Sequence, residues 1–327
     1  ALIAVLLVLA IICGSLAVFV NFYLSKMNFG DSKGNVNPTL EVEETINFDG
    51  QKKADADIKV NLDDTKIWYD SRILNFLLVG VDYGDEETKM FDGMVLPRSD
   101  SMILISINTI KNTINMVSLS RAAYVAIPGH GNKRLNTAHA FGGSELLAET
   151  IKQNYKIRID KYITVDIDGF TKIIDALGGV NVNLTAEEAR NVVGKNASGS
   201  YLLDGEEATA YSRLRYIDSD RKRTGRQRAV LNAIANKYRH SSVQTMVGML
   251  DIFLPIVTTN FKKSQLLMQA VKAPSYLTMP VHEDIIPHKP VSLTPRDGKE
   301  VLIINWAESN KYLHDLLYPD MVPESLK

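Results

Sequence analysis

The sequence holds one cysteine in 327 residues, Cys13, so no disulfide can form within the chain. Residues 14–327 carry no thiol, which suits a domain outside the cytoplasm in a setting where disulfides are not used. Net charge is nearly absent too: 37 Lys and Arg face 38 Asp and Glu, for a formal charge of -1. Such a balanced chain has no general attraction for nucleic acid or anionic lipid, so any anion site must be local. No Walker A motif occurs and no Gly-rich loop opens a helix after a strand, which argues against a nucleotide ligand. "PGHGNKR" resembles a P-loop only superficially. A base-reading helix and the aromatic interleaving of a single-strand binder are missing, so nucleic acid is not an expected partner.

What the sequence has in plenty, at its start, is apolar residues. "ALIAVLLVLAIICGSLAVFVNFYL" has no polar face, and no charge precedes Lys26. About 20 apolar residues span a bilayer as a helix, whereas a cleaved signal peptide has a shorter apolar run behind a basic segment. Residues 1–24 are therefore expected to be a single transmembrane anchor. The chain begins at Ala rather than Met, and a short cytoplasmic piece is expected ahead of it. Polar residues 25–68, with "GDSKGNVNP" and "DGQKKADADIK", read as a stalk. Residues 69–327 are expected to form one extracytoplasmic domain.

Within that domain "ILNFLLVGV", "SMILISIN" and "TINMVSLS" are short apolar runs suited to buried strands, the last following the turn-like "TIKN". "SELLAETIKQNYK" is an amphipathic helix with Ser144 as N-cap. "YITVDI" and "VNVNL" are strands, and "DGFTKIIDALGG" between them is a helix capped by Asp168 and ended by Gly178 and Gly179. Further helices are expected from Thr224 and over 243–258, 264–272 and 297–317. Strands alternating with helices give an α/β fold, a central sheet covered on both faces.

Against the neutral background, "RLRYIDSDRKRTGRQR" (213–228) packs seven Lys and Arg into sixteen residues. "TGRQ" matches a capping box, which starts a helix at Thr224 with Val230, Leu231, Ile234 and Tyr238 as its apolar stripe. Arg223, Arg226 and Arg228 then crowd a helix N-terminus, where cations are disfavoured unless an anion binds. In an extended segment Arg213 and Arg215 would project to one side, a pair suited to forking onto phosphate oxygens. Surface ion pairing with Asp218 and Asp220 is the plainer alternative. Asp82 and Asp100 fall at strand ends, where carboxylates suit a hard ion such as Mg²⁺ that also takes phosphate oxygens. Arg121, Arg134, Asn136 and His139 come from loops after a strand.

Four segments in this order resemble the LytR-CpsA-Psr family of bacterial cell-envelope proteins: "RSDSMIL", "SLSRAAYVAIPGHGNKRLNTAHAFGG", "VDIDGFTKIIDALGGV" and "LDGEEATAYSRLRYIDSDRKRTGRQR". The resemblance implies an α/β sandwich with a mixed central sheet and an apolar tunnel for a lipid tail. It also implies a single-pass membrane protein, of Gram-positive type, whose domain lies outside the cell. Its activity would be transfer of a glycopolymer, of the wall teichoic acid or capsular polysaccharide kind, from a polyprenyl-pyrophosphate carrier to peptidoglycan. By the same resemblance, Arg98, Arg121, Arg213, Arg215, Arg223, Arg226 and Gln227 hold the pyrophosphate, and Asp82 and Asp100 hold Mg²⁺. Arg121, Arg213, Arg215 and Asp220 stand as catalytic residues. Asp82, Asp100 and Asp220 are candidate bases for the acceptor hydroxyl, with His139 a further one.

One departure stands out. Where the family continues Arg with Asp, this chain has Arg121-Ala122-Ala123. The missing carboxylate opens a second reading, a catalytically weakened protein that binds polyprenyl pyrophosphate or wall polymer and regulates polymer synthesis.

Overall fold

The computed structural model describes residues 67–82, 97–214, 219–239, 255–262, 278–289, 293–296 and 298–319, together with 28–29, 217, 253, 265, 275–276 and 291. The expected anchor lies outside these residues, as do the expected helix over 264–272, apart from Gln265, and most of that over 243–258. Among the described residues no helix is long and apolar enough to cross a membrane.

Among the described residues seven strands form the central sheet: β1 (Asn28–Phe29), β2 (Ile73–Val81), β3 (Ser99–Asn108), β4 (Thr113–Leu119), β7 (Lys161–Asp166), β10 (Val257–Thr259) and β11 (Val281–Ile286), in the order β1-β10-β7-β2-β3-β4-β11. The sheet is mixed: β2 runs parallel to β7 and antiparallel to β3, and β11 joins the edge parallel to β4. Period-2 alternation sends Phe76, Leu78, Ile103 and Ile105 into one core and Leu77, Val79, Met102 and Leu104 into the other. A strand buried on both faces reads as a continuous apolar run, which is what "ILNFLLVGV" displays. As expected, helices cover both faces.

On the first face lie α2 (Ile167–Ala176), α3 (Ala186–Val192), α4 (Gly205–Arg213) and α5 (Asp220–Arg239). On the second lie α1 (Leu135–Tyr155) and α6 (Trp306–Leu317). Asp204 and Thr185 each close a capping box, starting α4 and α3, and such a cap is worth about 1 kcal/mol. Ahead of β2, Trp68 pairs with Ile157 and packs its ring 4.5 Å from His314 of α6. Asn75 and Tyr318 complete this corner, with the tyrosine hydroxyl donating to the Trp68 carbonyl at 3.2 Å.

Several local expectations are corrected. The cap of α2 is Asp166, which accepts from Gly169 N–H at 2.7 Å, and Asp168 sits in the first turn. Gly178 and Gly179 do end that helix, at φ 68° and 80°. A side chain on Gly179 would put its Cβ 2.7 Å from the Leu203 carbonyl. The run α1 joins two helices across non-helical backbone at Gly142 and Gly143, so a helix does begin next to Ser144, while an unexpected one precedes it from Leu135; the Ser144 hydroxyl bonds Thr164 Oγ1 at 2.6 Å. The loops expected after β4 contain a hairpin, β5 (Tyr124–Ile127) and β6 (Gly131–Arg134). A second hairpin, β12 (Leu293–Arg296) with β13 (Lys299–Leu302), occupies the start of the helix expected over 297–317. A third pairs β8 (Val180–Leu184) with β9 (Gly199–Leu203).

Candidate functional site

The site lies where β2 ends and β3 begins. Gly80 pairs with Ser101 and Val81 with Ser99, so Asp100 is the extra residue of a β-bulge. A bulge re-aims the side chain it carries, and here it brings Asp100 to the same pocket as Asp82, the residue after β2. Gly80 permits this close pairing, since a Cβ there would stand 3.1 Å from that of Ser101.

The pocket runs between the sheet and helices α2, α4 and α5. Asp82, Asp100, Asp166, Arg213 and Gln227 are the charged and long polar side chains of its lining. Leu78, Val165, Phe170, Ile173, Leu231 and Ile234 make its body apolar. It holds about 810 Å³ of space, counting the open solvent at its mouth. Along α5 the lining passes from Gln227 to Leu231 and Ile234, one helical turn at a time, so the polarity gradient follows the helix axis. A pocket graded in this way suits an amphipathic ligand, with an apolar tail and a polar head.

Two ion pairs span the polar end. Arg213 Nη2 donates to Asp82 Oδ2 at 2.7 Å, and Arg121 Nη1 to Asp100 Oδ1 at 2.6 Å. Arg98 precedes β3, and its buried Nε has no hydrogen-bond partner among the described residues. His139, on α1, anchors this segment through Nδ1 and the Pro97 carbonyl, 2.7 Å apart. A carbonyl only accepts, so Nδ1 carries the proton. The histidine therefore positions the Arg98–Asp100 segment.

Burial holds the His139 imidazole below its ordinary value of 6.5, with the Pro97 contact opposing in part. Between that lowered value and 6.5 the unfolded chain binds a proton that the folded one does not. Stability is thus fully present above pH ~6.5 and declines as pH falls. Thermal melts between pH ~7 and ~5 should show a shallower loss for His139→Gln than for the parent. Identical slopes would mean that His139 does not set the acid sensitivity.

Within the basic stretch, Arg213 and Gln227 line the pocket, while Arg221, Arg226 and Arg228 are held by other parts of the protein. Helix α5 starts at Asp220, four residues before Thr224, and Ser219 Oγ accepts from Lys222 N–H at 3.4 Å. Thr224 is buried inside the helix and donates to the Arg221 carbonyl. Arg223, Arg226 and Arg228 therefore sit beyond the helix N-terminus, and Asp220 occupies its first position. Arg226 is 3% exposed and is held by Glu188 Oε1 at 3.3 Å and the Leu214 carbonyl at 2.6 Å. Arg223 is 2% exposed. Arg228 reaches away to Glu283 and Ser118, and Arg221 to the carbonyls of Pro287 and His288.

Arg213 is the last residue of α4 rather than part of an extended strand. Arg215 and the side chains of Asp220 and Tyr238 lie outside what is described; Val230, Leu231 and Ile234 form the buried stripe as expected. Sequence reasoning missed Glu188, although the capping-box pattern "TAEE" marks it. It also missed the apolar pocket lining, which has the same periodicity as ordinary core.

Asp82 and Asp100 fit a divalent cation by donor chemistry, two hard oxygen donors lining one pocket. Among the described residues no cluster of three acidic, His or Cys side chains could hold a metal. Water and phosphate oxygens would fill the remaining positions, as Mg²⁺ prefers.

The fold is a mixed α/β sheet with helices on both faces and a pocket at the β2–β3 bulge. The chain belongs to the LytR_cpsA_psr family, whose sequence profile matches residues 39–311. It is 32% identical over 209 residues to the polyisoprenyl-teichoic acid–peptidoglycan teichoic acid transferase TagT of Bacillus subtilis (strain 168), a match covering 62% of this chain. That match spans 63% of the relative's length, less than two thirds. Among solved structures, "TagT bound to LI-WTA" superposes with a TM-score of 0.62 at 26% identity, covering 78% of this chain and 93% of that one. The family protein YwtF (TagT) with bound octaprenyl pyrophosphate lipid gives 0.56 at 25% identity, covering 76% and 93%.

Proposed function

We propose that this protein transfers a glycopolymer of the teichoic acid or capsular type from a polyprenyl-pyrophosphate carrier to peptidoglycan. In this reading it is a membrane-anchored enzyme, held by residues 1–24, with its domain outside the cell. The observation that carries the reading is the graded pocket: an apolar body whose lining also holds Asp82, Asp100, Asp166, Arg213 and Gln227. The relative's transferase name and the lipid bound by a structural neighbour support the substrate class.

In the reaction an acceptor hydroxyl oxygen bonds to the polymer-bearing phosphorus. The bond from that phosphorus to the bridging oxygen breaks, and polyprenyl phosphate leaves. Arg213 and Arg121, now paired with Asp82 and Asp100, would turn their donors to the developing charge, with Arg98 flanking them, which lowers the barrier. Asp82 and Asp100 would hold Mg²⁺, which neutralises phosphate charge when bound. The hydroxyl proton passes to a carboxylate, with Asp82, Asp100 and Asp220 the candidates.

The test is transfer of a lipid-linked glycopolymer to peptidoglycan fragments by the full chain in detergent. Labelled phosphodiester-linked product is expected. Tight carrier binding with no product would favour the weakened-binder reading instead.

Ala122 bears on that choice. It is 6% exposed, and its carbonyl accepts from Leu302 N–H at 2.8 Å, so the backbone is pinned at that point. Ala122→Asp should raise transfer, by about 10²–10⁴-fold if a carboxylate there acts as general acid or base. A gain of a few-fold would indicate orientation only. Equal rates in an active pair would show that the chain has no need of the carboxylate.

A further inference from the structure

We propose that His130 and Phe141 form a stacking platform for a sugar ring of the acceptor glycan, with Lys133 beside it to take an acidic group of that glycan. This deepens the proposed function and rests on it. The His130 imidazole lies flat on the Phe141 ring, with centroids 4.1 Å apart and planes within 5°. Lys133 Nζ stands 6.0 Å from the centroid of the same phenyl ring. His130 is exposed and Phe141 beneath it is half-buried. An exposed ring backed on one face by a phenyl offers its other face to a ligand.

The platform is held rigid by local structure. His130 N–H donates to the Ile127 carbonyl at 2.9 Å, and Gly129 between them has φ 75°. Pro128 followed by such a glycine makes a type II turn, which fixes the residue after it. Behind the turn, Asn154 brackets Ala126, accepting from its N–H at 3.1 Å and donating to its carbonyl at 2.8 Å. The hairpin is therefore clamped to α1, and stacking on it costs a ligand little ordering of the protein.

Position ties the platform to the transfer site. Asn136 N–H donates to the Arg121 carbonyl, and Phe141 follows five residues on, about 8 Å along the helix. That is a distance a disaccharide spans. The apolar body of the pocket lies in the core of the first sheet face, whereas α1 and the β5–β6 hairpin pack on the second. Attacking and leaving oxygens in phosphoryl transfer lie roughly in line. A lipid phosphate leaving toward the first face calls for a hydroxyl arriving from the second. The polymer on the donor is an equatorial substituent of that phosphorus, so the platform falls to the acceptor. Charge agrees: from Arg121 to Ser144 the chain has Lys133, Arg134 and Arg121 itself but no Asp or Glu. Such a segment favours an acidic partner, and peptidoglycan carries carboxylates on its peptide stems.

The experiment varies soluble peptidoglycan fragments against saturating lipid-linked donor, with the full chain in detergent. His130→Ala should raise KM for the fragments about 3–10-fold, the size of an aromatic stacking contact, with kcat little changed. His130→Trp should lower KM. Lys133→Gln should raise it for fragments with free stem carboxylates and not for amidated ones. Farnesyl pyrophosphate affinity should stay at the parent's value in all three, each checked for fold by circular dichroism. An unchanged fragment KM in both His130→Ala and Lys133→Gln overturns the platform and leaves the proposed function standing. A loss of affinity for lipid-free glycopolymer instead assigns the rings to the donor's polymer, which also overturns it. Should the parent transfer nothing, the proposed function fails and saturation-transfer NMR decides the platform: fragment signals lost in His130→Ala support it, and equal or absent signals overturn it.

Discussion

Arg226→Ala is expected to destabilise the domain by about 3–5 kcal/mol, the usual effect of removing one partner from a buried ion pair. The guanidinium is 3% exposed, and besides Glu188 it satisfies the Leu214 carbonyl at the end of α4. Glu188 simultaneously accepts from Thr185 N–H at 2.9 Å to complete the cap of α3. Loss of Arg226 would thus leave a carboxylate buried without its cation and free the link between α3, α4 and α5. Urea denaturation measures it: the midpoint should fall sharply, and Glu188→Gln should fall less because the amide still accepts a hydrogen bond. A midpoint unchanged in Arg226→Ala, with ligand affinity lost, would show that the residue serves the pyrophosphate directly.

Arg213→Ala should show the opposite pattern. Its side chain is 52% exposed and its partner Asp82 is partly exposed, so the fold loses little. A hydrogen bond from a charged donor contributes about 1.5–3 kcal/mol to binding, so affinity for farnesyl pyrophosphate in Mg²⁺ should drop by roughly 10–150-fold. Arg213→Lys should recover only part, because an ammonium cannot fork onto two oxygens. A lowered melting temperature with unchanged affinity would make Arg213 a structural residue.

These two arginines also mark where the sequence could be read and where it could not. Both belong to one charged run, and the family resemblance assigned both to the pyrophosphate. What separates them is the start of α5: Ser219 and Asp220 begin the helix one turn before Thr224, which rotates Arg226 into the protein. The cue was present, since Ser followed by Asp is as good a helix start as "TGRQ". The central strands were legible because burial on both faces leaves an uninterrupted apolar run. The hairpins were not, since "YVAIPGHGNKR" and "LTPRDGKEVL" carry short strands with mixed faces, and only the turn residues betray them. Asp82 and Asp100 could be named from their strand-end positions. Their convergence depends on a bulge, and no spacing in the sequence announces it.

The edge strand β1 has a mechanical consequence. It lies a few residues past the proposed anchor and pairs with β10 at the edge of the sheet. Under the proposed anchorage, tension between membrane and wall polymer would meet the sheet there first. Two residues in an edge ladder peel under such a pull, whereas β2, flanked by β3 and β7, would have to shear both ladders at once. The edge would give first and leave the strands that carry Asp82 and Asp100 in place.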